Sequence, residues 1–471
     1  MHSGERRQFY WDFLSARPFK AVLRWQGFPL VLQIAVLAIF VLLTINGLGI
    51  GLDQSPEELM TLRKTSLTTL VVWGLWWPGM IALALALGRA WCTVCPMELV
   101  NRAGDELARS LGWPRLKLGR WLRAGWLIVV AYLVLQLLVA GFSIHRIPHY
   151  TALMLLVLIG AALATGLIFR EPRSFCKILC PAAALLSVYG RYTPLQLDVR
   201  DPQVCSDCRT RDCVAQSYRH RFDHRSCPSL LRPFARQQSD ACVLCLQCAK
   251  VCPYENIGLG LVKNTSGSRR QRMLRPYEAG FLIFAGGFVA HEVIGEVAWL
   301  DEYFHAVPKA LQRLMPSVSF GWFEALWFLA VVPLILWMAA SGLAYLFGHR
   351  QNLRSRLLAV ATGAAPVVAI AHLAKAAAKI TSWAGFLPLA AADPGGLQTL
   401  HQITGKALAS PRPLVSFSLV GLIMLVLLSL FAWRSVRWIK EASNENLKAA
   451  YAGFAIMVVI YGSILSVWSW F

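Results

Sequence analysis

The sequence predicts an all-α polytopic membrane protein of about nine transmembrane helices that carries one small polar insert. Three observations lead there. Of 471 residues, 56% are hydrophobic and only 15% charged, with 18 tryptophans, a balance foreign to soluble domains. Apolar runs long enough to span a bilayer recur at about 28–45, 67–87, 125–144, 151–169, 279–300, 321–347, 357–380, 413–433 and 450–470. The one sizeable polar block, 189–278, holds eight of the twelve cysteines. The expected parts are therefore a four-helix membrane part (1–188), the insert (189–278) and a five-helix membrane part (279–471).

Charge placement orients the helices. The formal charge of +21 invites a nucleic-acid reading, but the basic residues sit in loops between apolar runs, as the positive-inside rule expects. Residues 88–124 carry seven Lys/Arg, among them Arg89, Arg109, Arg115, Lys117 and Arg123, whereas 46–66 sets Arg63 and Lys64 against Asp53, Glu57 and Glu58. Arg350, Arg354 and Arg356 share one later loop, and Arg434, Arg437 and Lys440 another. With the N-terminus inside, all strongly basic loops face the same side. The expected location is an inner (cytoplasmic) membrane of bacterial type. The N-terminus and insert are then cytoplasmic, Phe471 is outside, the lipid bilayer is a partner and nucleic acid is not. Arg6, Arg7, Arg17, Lys20 and Arg24 precede the first run like a long signal n-region. No convincing small-residue cleavage site follows, so the segment reads as a retained cytoplasmic tail.

The insert contains Cys242-Val-Leu-Cys245-Leu-Gln-Cys248-Ala-Lys-Val-Cys252-Pro253. This C-x2-C-x2-C-x3-C-P spacing wraps three thiolates around one [4Fe–4S] cluster and sends the fourth to a neighbour. Structural zinc sites instead use paired C-x2-C knuckles far apart. A second, looser motif runs Cys205, Cys208, Cys213 and then Cys227-Pro228. Exchange of fourth ligands pairs Cys205, Cys208 and Cys213 with Cys252, and Cys242, Cys245 and Cys248 with Cys227. Zinc or an incomplete cluster is the other reading of the irregular set. The insert is thus expected to be a small two-cluster ferredoxin-like domain, cohesive through its metal. Lys263 to Arg275 reads as a flexible basic tether.

Four cysteines remain. One pair of runs ends in Trp91-Cys92-Thr93-Val94-Cys95-Pro96 and the next in Phe175-Cys176-Lys177-Ile178-Leu179-Cys180-Pro181. The repeat places an aromatic, two cysteines and a proline at equivalent ends of both hairpins. Four thiolates are the complement of a third cluster; a structural metal, redox dithiol pairs or packed free thiols are the alternatives.

Paired cysteine–proline elements after membrane hairpins, followed by a ferredoxin block, resemble the NapH/NosR/CcoG group of membrane polyferredoxins, from about the first run to Pro253. The resemblance implies electron transfer between the quinone pool or cytoplasmic donors and partner reductases, or help in metal-centre assembly. This chain departs from that group in its first element, C-x2-CP in place of C-x3-CP. It also shows no flavin-attachment or periplasmic domain ahead of the first run, and it has five runs after the insert.

Those last runs carry His291, Glu292, Glu296, Glu324, His372, Lys375 and Lys379. Glu292/Glu296 and Lys375/Lys379 are each spaced four apart, on one helix face. Ionisable groups at such depth must pair or line a wet cavity. Glu–Lys pairing between the fifth and seventh runs is expected, either to fix helix packing or as a quinone or proton site. Haem ligation by His291 and His372 is the weaker alternative. His145 and His149 read as interfacial residues, and 98–123 as an amphipathic surface helix broken at Pro114, able to dock an acidic partner.

The leading functional expectation is a membrane-bound iron–sulfur electron-transfer protein, an electron carrier or a subunit of a quinone-linked oxidoreductase. It would relay electrons between a cytoplasmic donor or acceptor protein and quinone or a membrane partner. A maturation factor supplying electrons or metal to another metalloenzyme is the second reading. A transporter with structural zinc is the third.

Overall fold

The computed structural model describes residues 9–221, 224–233, 241–262, 273–442 and 447–470. The expected tether lies outside the described residues over 263–272. The fold is mostly helical with one three-stranded sheet. Among the described residues, eight helices are long and apolar enough to cross a bilayer: Leu30–Gly47, Leu67–Leu87, Pro148–Ile168, Pro276–Ile294, Phe320–Leu346, Leu353–Ala392, Phe417–Lys440 and Leu447–Trp468. The third apolar run forms a shorter helix, Trp126–Gly141. Gly125 (φ 85°) turns the chain into it, and Ser143 (φ 52°) takes the chain away after it. At ~1.5 Å per residue it falls short of a ~30 Å hydrocarbon core.

The spans Leu67–Leu87 and Phe320–Leu346 each contain a π-helical turn, Leu70–Trp76 and Trp327–Val331, ending two residues before Pro78 and Pro333. Proline lacks an N–H and its ring crowds the carbonyl one turn back. The widened turn relieves that crowding without breaking the helix.

The chain packs as two compact units. One comprises Met1–Phe40, Leu83–Gly125 and Leu158–Arg270. Its sheet has the order β1 (Phe9–Asp12), β3 (Ile257–Val262), β2 (Leu195–Val199), all antiparallel. From Phe9 onward, therefore, the segment expected to be a tail is an edge strand. Asp12 secures it: its carboxylate accepts from the backbone N–H groups of Leu14 (2.9 Å) and Leu259 (3.2 Å) and from Arg200 Nε (2.8 Å). Lys250, between two cysteines, donates to the carbonyls of Trp25 (2.6 Å) and Phe28. Leu14 is buried with Val199, Leu244, Leu246, Ile257 and Leu259, and four cysteines of the insert pack against this core.

Gly260 permits the strand contact, since a Cβ there would lie 1.7 Å from the Trp11 carbonyl oxygen. Gly260→Val is expected to displace β1 at a cost of about 1–3 kcal/mol. Accelerated tryptic cleavage at Lys20 and Arg24 would report it; wild-type cleavage rates would mean that β1 is not held through this contact.

The expected surface helix over 98–123 is corrected. The helix is Pro96–Ser110, with Glu98, Asn101, Gly104, Asp105 and Ala108 buried along one face. It stops before Gly112 (φ 64°), ahead of Pro114. A Cβ on Gly104 would meet the Leu163 carbonyl oxygen at 2.6 Å, and one on Gly166 the Asn101 carbonyl oxygen at 2.1 Å. Asn101 Nδ2 donates to Ala162 O, Thr165 Oγ1 and Ser174 Oγ at 3.0–3.1 Å. Small residues set that close crossing, and the asparagine fixes it.

The other unit comprises Val41–Ala82, Trp126–Val157 and Gln271–Phe471. Its centre is the helix Leu353–Trp383, buried along most of its length and rich in alanine. Gly363 faces the Ala450 carbonyl and Gly453 the Val360 carbonyl at distances only glycine allows. This is the small-residue contact by which membrane helices pack closely.

Candidate functional site

The structure brings the twelve cysteines into three groups of four, all within the first unit. Cys205, Cys208, Cys213 and Cys252 line one small cavity with Pro253, Asn256 and Ile257. The helix Pro202–Asp207, capped by Asp201, carries Cys205 into it. Amide donors point at the sulfurs: Asn256 N to Cys252 Sγ (3.4 Å), Asn256 Nδ2 to Cys205 Sγ (3.3 Å) and Arg211 N to Cys208 Sγ (3.4 Å). Such bonds favour a thiolate. Burial first, and then the charges of Cys252, Cys205 and Cys208, push the Cys213 thiol up to about 12.

Cys227, Cys242, Cys245 and Cys248 form the second group. Burial, followed by the charge of Cys227, pushes Cys245 up to about 12, and Cys248 feels Cys227, Cys242 and Cys245 in the same way. Cys227 N donates to Cys213 O at 2.9 Å, linking this group to the first.

Cys92, Cys95, Cys176 and Cys180 form the third. The Cys95 thiol is raised by burial and then by Cys176, Cys180 and Cys92. A positive centre among crowded, buried thiols draws their protons off.

Among the described residues, the three-residue group of potential ligand atoms lying within 4.8 Å of one another is His291, His305 and Glu324, which includes no cysteine.

The loops that carry the cysteines are conformationally costly. Of eight non-glycine residues with positive φ among the described residues, six lie within three positions of a cysteine: Arg173, Arg211, Leu230, Leu244, Leu246 and Glu255. Each costs roughly 1–2 kcal/mol and persists only where its surroundings enforce it. Burial of Leu244 and Leu246 in the insert core supplies that enforcement on both sides of Cys245.

Charged residues that the sequence reading passed over run among the groups. Glu98 Oε1 accepts from Arg225 (2.9 Å) and Oε2 from Gln33 (2.8 Å), all buried. Arg173 is 6% exposed. It donates to Ser229 Oγ at 2.6 Å, while its Nε and Nη2 make no hydrogen bond. Cys176, Cys92, Glu98 and Cys245 favour its charge against the cost of burial. Their only sequence signal is a basic or acidic residue within three positions of a cysteine.

In the second unit, a cavity of about 470 Å³ brings together His291, Glu292, Glu296, Glu324, His372, Lys375 and Lys379. The expected Glu–Lys pairing is present: Lys375 Nζ lies 2.6 Å from Glu296 Oε1 and 3.3 Å from Glu292 Oε2, and donates to Glu292 O at 2.9 Å. Arg63, His145, Asp301 and His305 line the same cavity. His145, expected to be interfacial, lines this cavity as well. His149 Nδ1 accepts from the Gly49 N–H at 2.9 Å. Asp301 lies in a short helix and His305 between two short helices, outside any apolar run, so periodicity could not flag them. Their i, i+4 spacing was the available signal.

No protein-family model and no solved structure matches the chain. It is similar to the "Uncharacterized protein MJ0749" of Methanocaldococcus jannaschii, 29% identical over 182 residues, covering 36% of this chain and 64% of that protein. It is also similar to the "Putative electron transport protein YccM" of Escherichia coli K12, 22% identical over 262 residues, covering 50% of this chain and 68% of that one. The chain thus spans just under two thirds of the length of the first of these relatives.

Proposed function

We propose that this is a membrane-bound iron–sulfur protein that relays electrons between a cytoplasmic redox partner and quinone or a membrane partner. The observation that carries the reading is the convergence of twelve cysteines into three groups of four, on strained loops with N–H donors at the sulfurs. Similarity to a protein named for electron transport supports the same reading.

Cys205, Cys208, Cys213 and Cys252 would hold one [4Fe–4S] group, Cys227, Cys242, Cys245 and Cys248 a second, and Cys92, Cys95, Cys176 and Cys180 a third. Bound groups of this type supply one-electron transfer. The chain contributes soft ligands, amide donors that stabilise anionic sulfur, and the buried Arg173 guanidinium, whose charge favours a reduced, more negative site. The polar cavity around Lys375 is of a size that takes a small ligand, and a quinone head group is the reading we favour. The basic loops support a cytoplasmic insert through the positive-inside rule.

Anaerobically purified protein is expected to contain about twelve iron and twelve acid-labile sulfide per chain. Cys245→Ala should remove one low-potential EPR signal and abolish quinol-linked reduction of the remainder. Zinc without sulfide, or full electron transfer in the variant, would overturn the reading.

A further inference from the structure

We infer a second kind of metal site, for one divalent first-row transition ion of the zinc class, at His291, His305 and Glu324. It is separate from the cysteines and additional to the quinone reading of the cavity. The three ligand atoms lie within 4.8 Å of one another, and ligand bonds of ~2.0–2.2 Å to one ion need only a slight further closing.

The orientation of His305 is the strongest sign. Its Nδ1 lies 3.0 Å from Asp301 O and 3.0 Å from Asp301 Oδ1. The Nδ1 proton is thereby engaged, and in the neutral ring Nε2 is then a lone pair. That Nε2 is buried, makes no well-aligned hydrogen bond and stands 3.4 Å from Glu324 Oε1. Two acceptors facing each other in a buried site repel unless a cation lies between them, either a proton carried by the imidazole or a metal ion that takes its place. His291 Nε2 approaches the same carboxylate oxygen at 3.9 Å, and its Nδ1 also lacks a hydrogen bond.

The surroundings hold the imidazoles in place. His291 stacks on Phe328 with ring centroids 4.7 Å apart and planes at 8°, and meets the His305 ring edge-on at 5.2 Å. Phe304 and Phe320 flank His305. A carboxylate behind the distal nitrogen of a metal-ligating histidine is the usual second layer of such sites, and Asp301 occupies that position. Three protein ligands leave a fourth position open, and all three residues line the 470 Å³ cavity.

The test uses full-length protein in detergent, washed with EDTA and titrated with Zn²⁺ alone. One equivalent is expected to bind, with nitrogen and oxygen neighbours at ~2.0–2.2 Å in zinc X-ray absorption and no sulfur shell. His305→Ala and Glu324→Gln should lose that equivalent while keeping the visible iron–sulfur spectrum. Asp301→Asn, which leaves all three ligands, should weaken binding about 10–100-fold. Absence of a bound equivalent in the wild type, sulfur ligation, or undiminished binding in His305→Ala would each overturn the inference. Because zinc content and ligand type are read directly, failure here leaves the electron-transfer reading standing.

Discussion

Glu98→Gln is expected to destabilise the protein by about 3–5 kcal/mol, the usual cost of removing one partner from a buried ion pair. Glu98 and Arg225 are 4% and 8% exposed in their side chains, and Gln33 holds the other carboxylate oxygen. The amide could keep the Gln33 contact but would leave Arg225 charged, buried and unpaired, with Arg173 close by. Thermal unfolding in detergent should fall by several degrees, and the iron content should fall with it, because Arg225 lies two residues from Cys227. Glu98→Leu combined with Arg225→Met should recover much of the loss, since a well-packed apolar pair often matches a buried salt bridge. An unaltered melting temperature in the single variant would exclude this pair as a structural anchor.

The same residue predicts an acid limb. Burial opposes the Glu98 charge, but Arg225 and Arg173 overcome it and hold its carboxyl below the ordinary 4.5. A depressed carboxylate contributes stability that is fully present above its unfolded value and lost as pH falls through the folded value. Stability should therefore decline below about pH 4.5 in the wild type, and less steeply in Glu98→Gln.

What the sequence made legible was local. Apolar runs and C-x2-C spacing are properties of neighbouring residues, so the helices and the ligand loops could be read directly, and the proline behind each π-helical turn was visible too. The sheet was not legible, because β1 pairs with β3: Trp11 meets Leu261, and no short-range pattern reports a partner that far along the chain. Arg173 and Arg225 looked like loop charge, since burial of a guanidinium cannot be read from composition. The helix Pro96–Ser110 looked amphipathic because it is, but its polar face carries Asn101 and Asp105 inward, which reverses the expected exposure. His305 went unnoticed for the opposite reason: it sits between two short helices, where hydropathy carries no signal.

Lys375→Met is expected to produce the largest functional loss outside the cysteines. Its ammonium group is in contact with the Glu292 backbone oxygen and both the Glu292 and Glu296 carboxylates, and its side chain is 16% exposed. Methionine keeps the length and apolar stem but removes the cation, leaving the Glu292 and Glu296 carboxylates without the partner they share. Lys379 and Arg63 lie on the same cavity, yet both stack on the Trp383 ring (5.1 and 5.4 Å) and are already engaged. The single variant should lose about 3–5 kcal/mol of stability and most quinol-linked electron transfer. Lys375→Met with both Glu292→Gln and Glu296→Gln separates packing from chemistry. If the ion pairs only fix the helices, the combined variant regains both melting temperature and electron transfer. If the charges handle protons or a quinone head group, melting temperature returns while quinol-linked electron transfer stays low. We expect the second outcome, because two helices could be held by apolar contact alone, whereas charges inside a membrane cavity are retained where a reaction uses them.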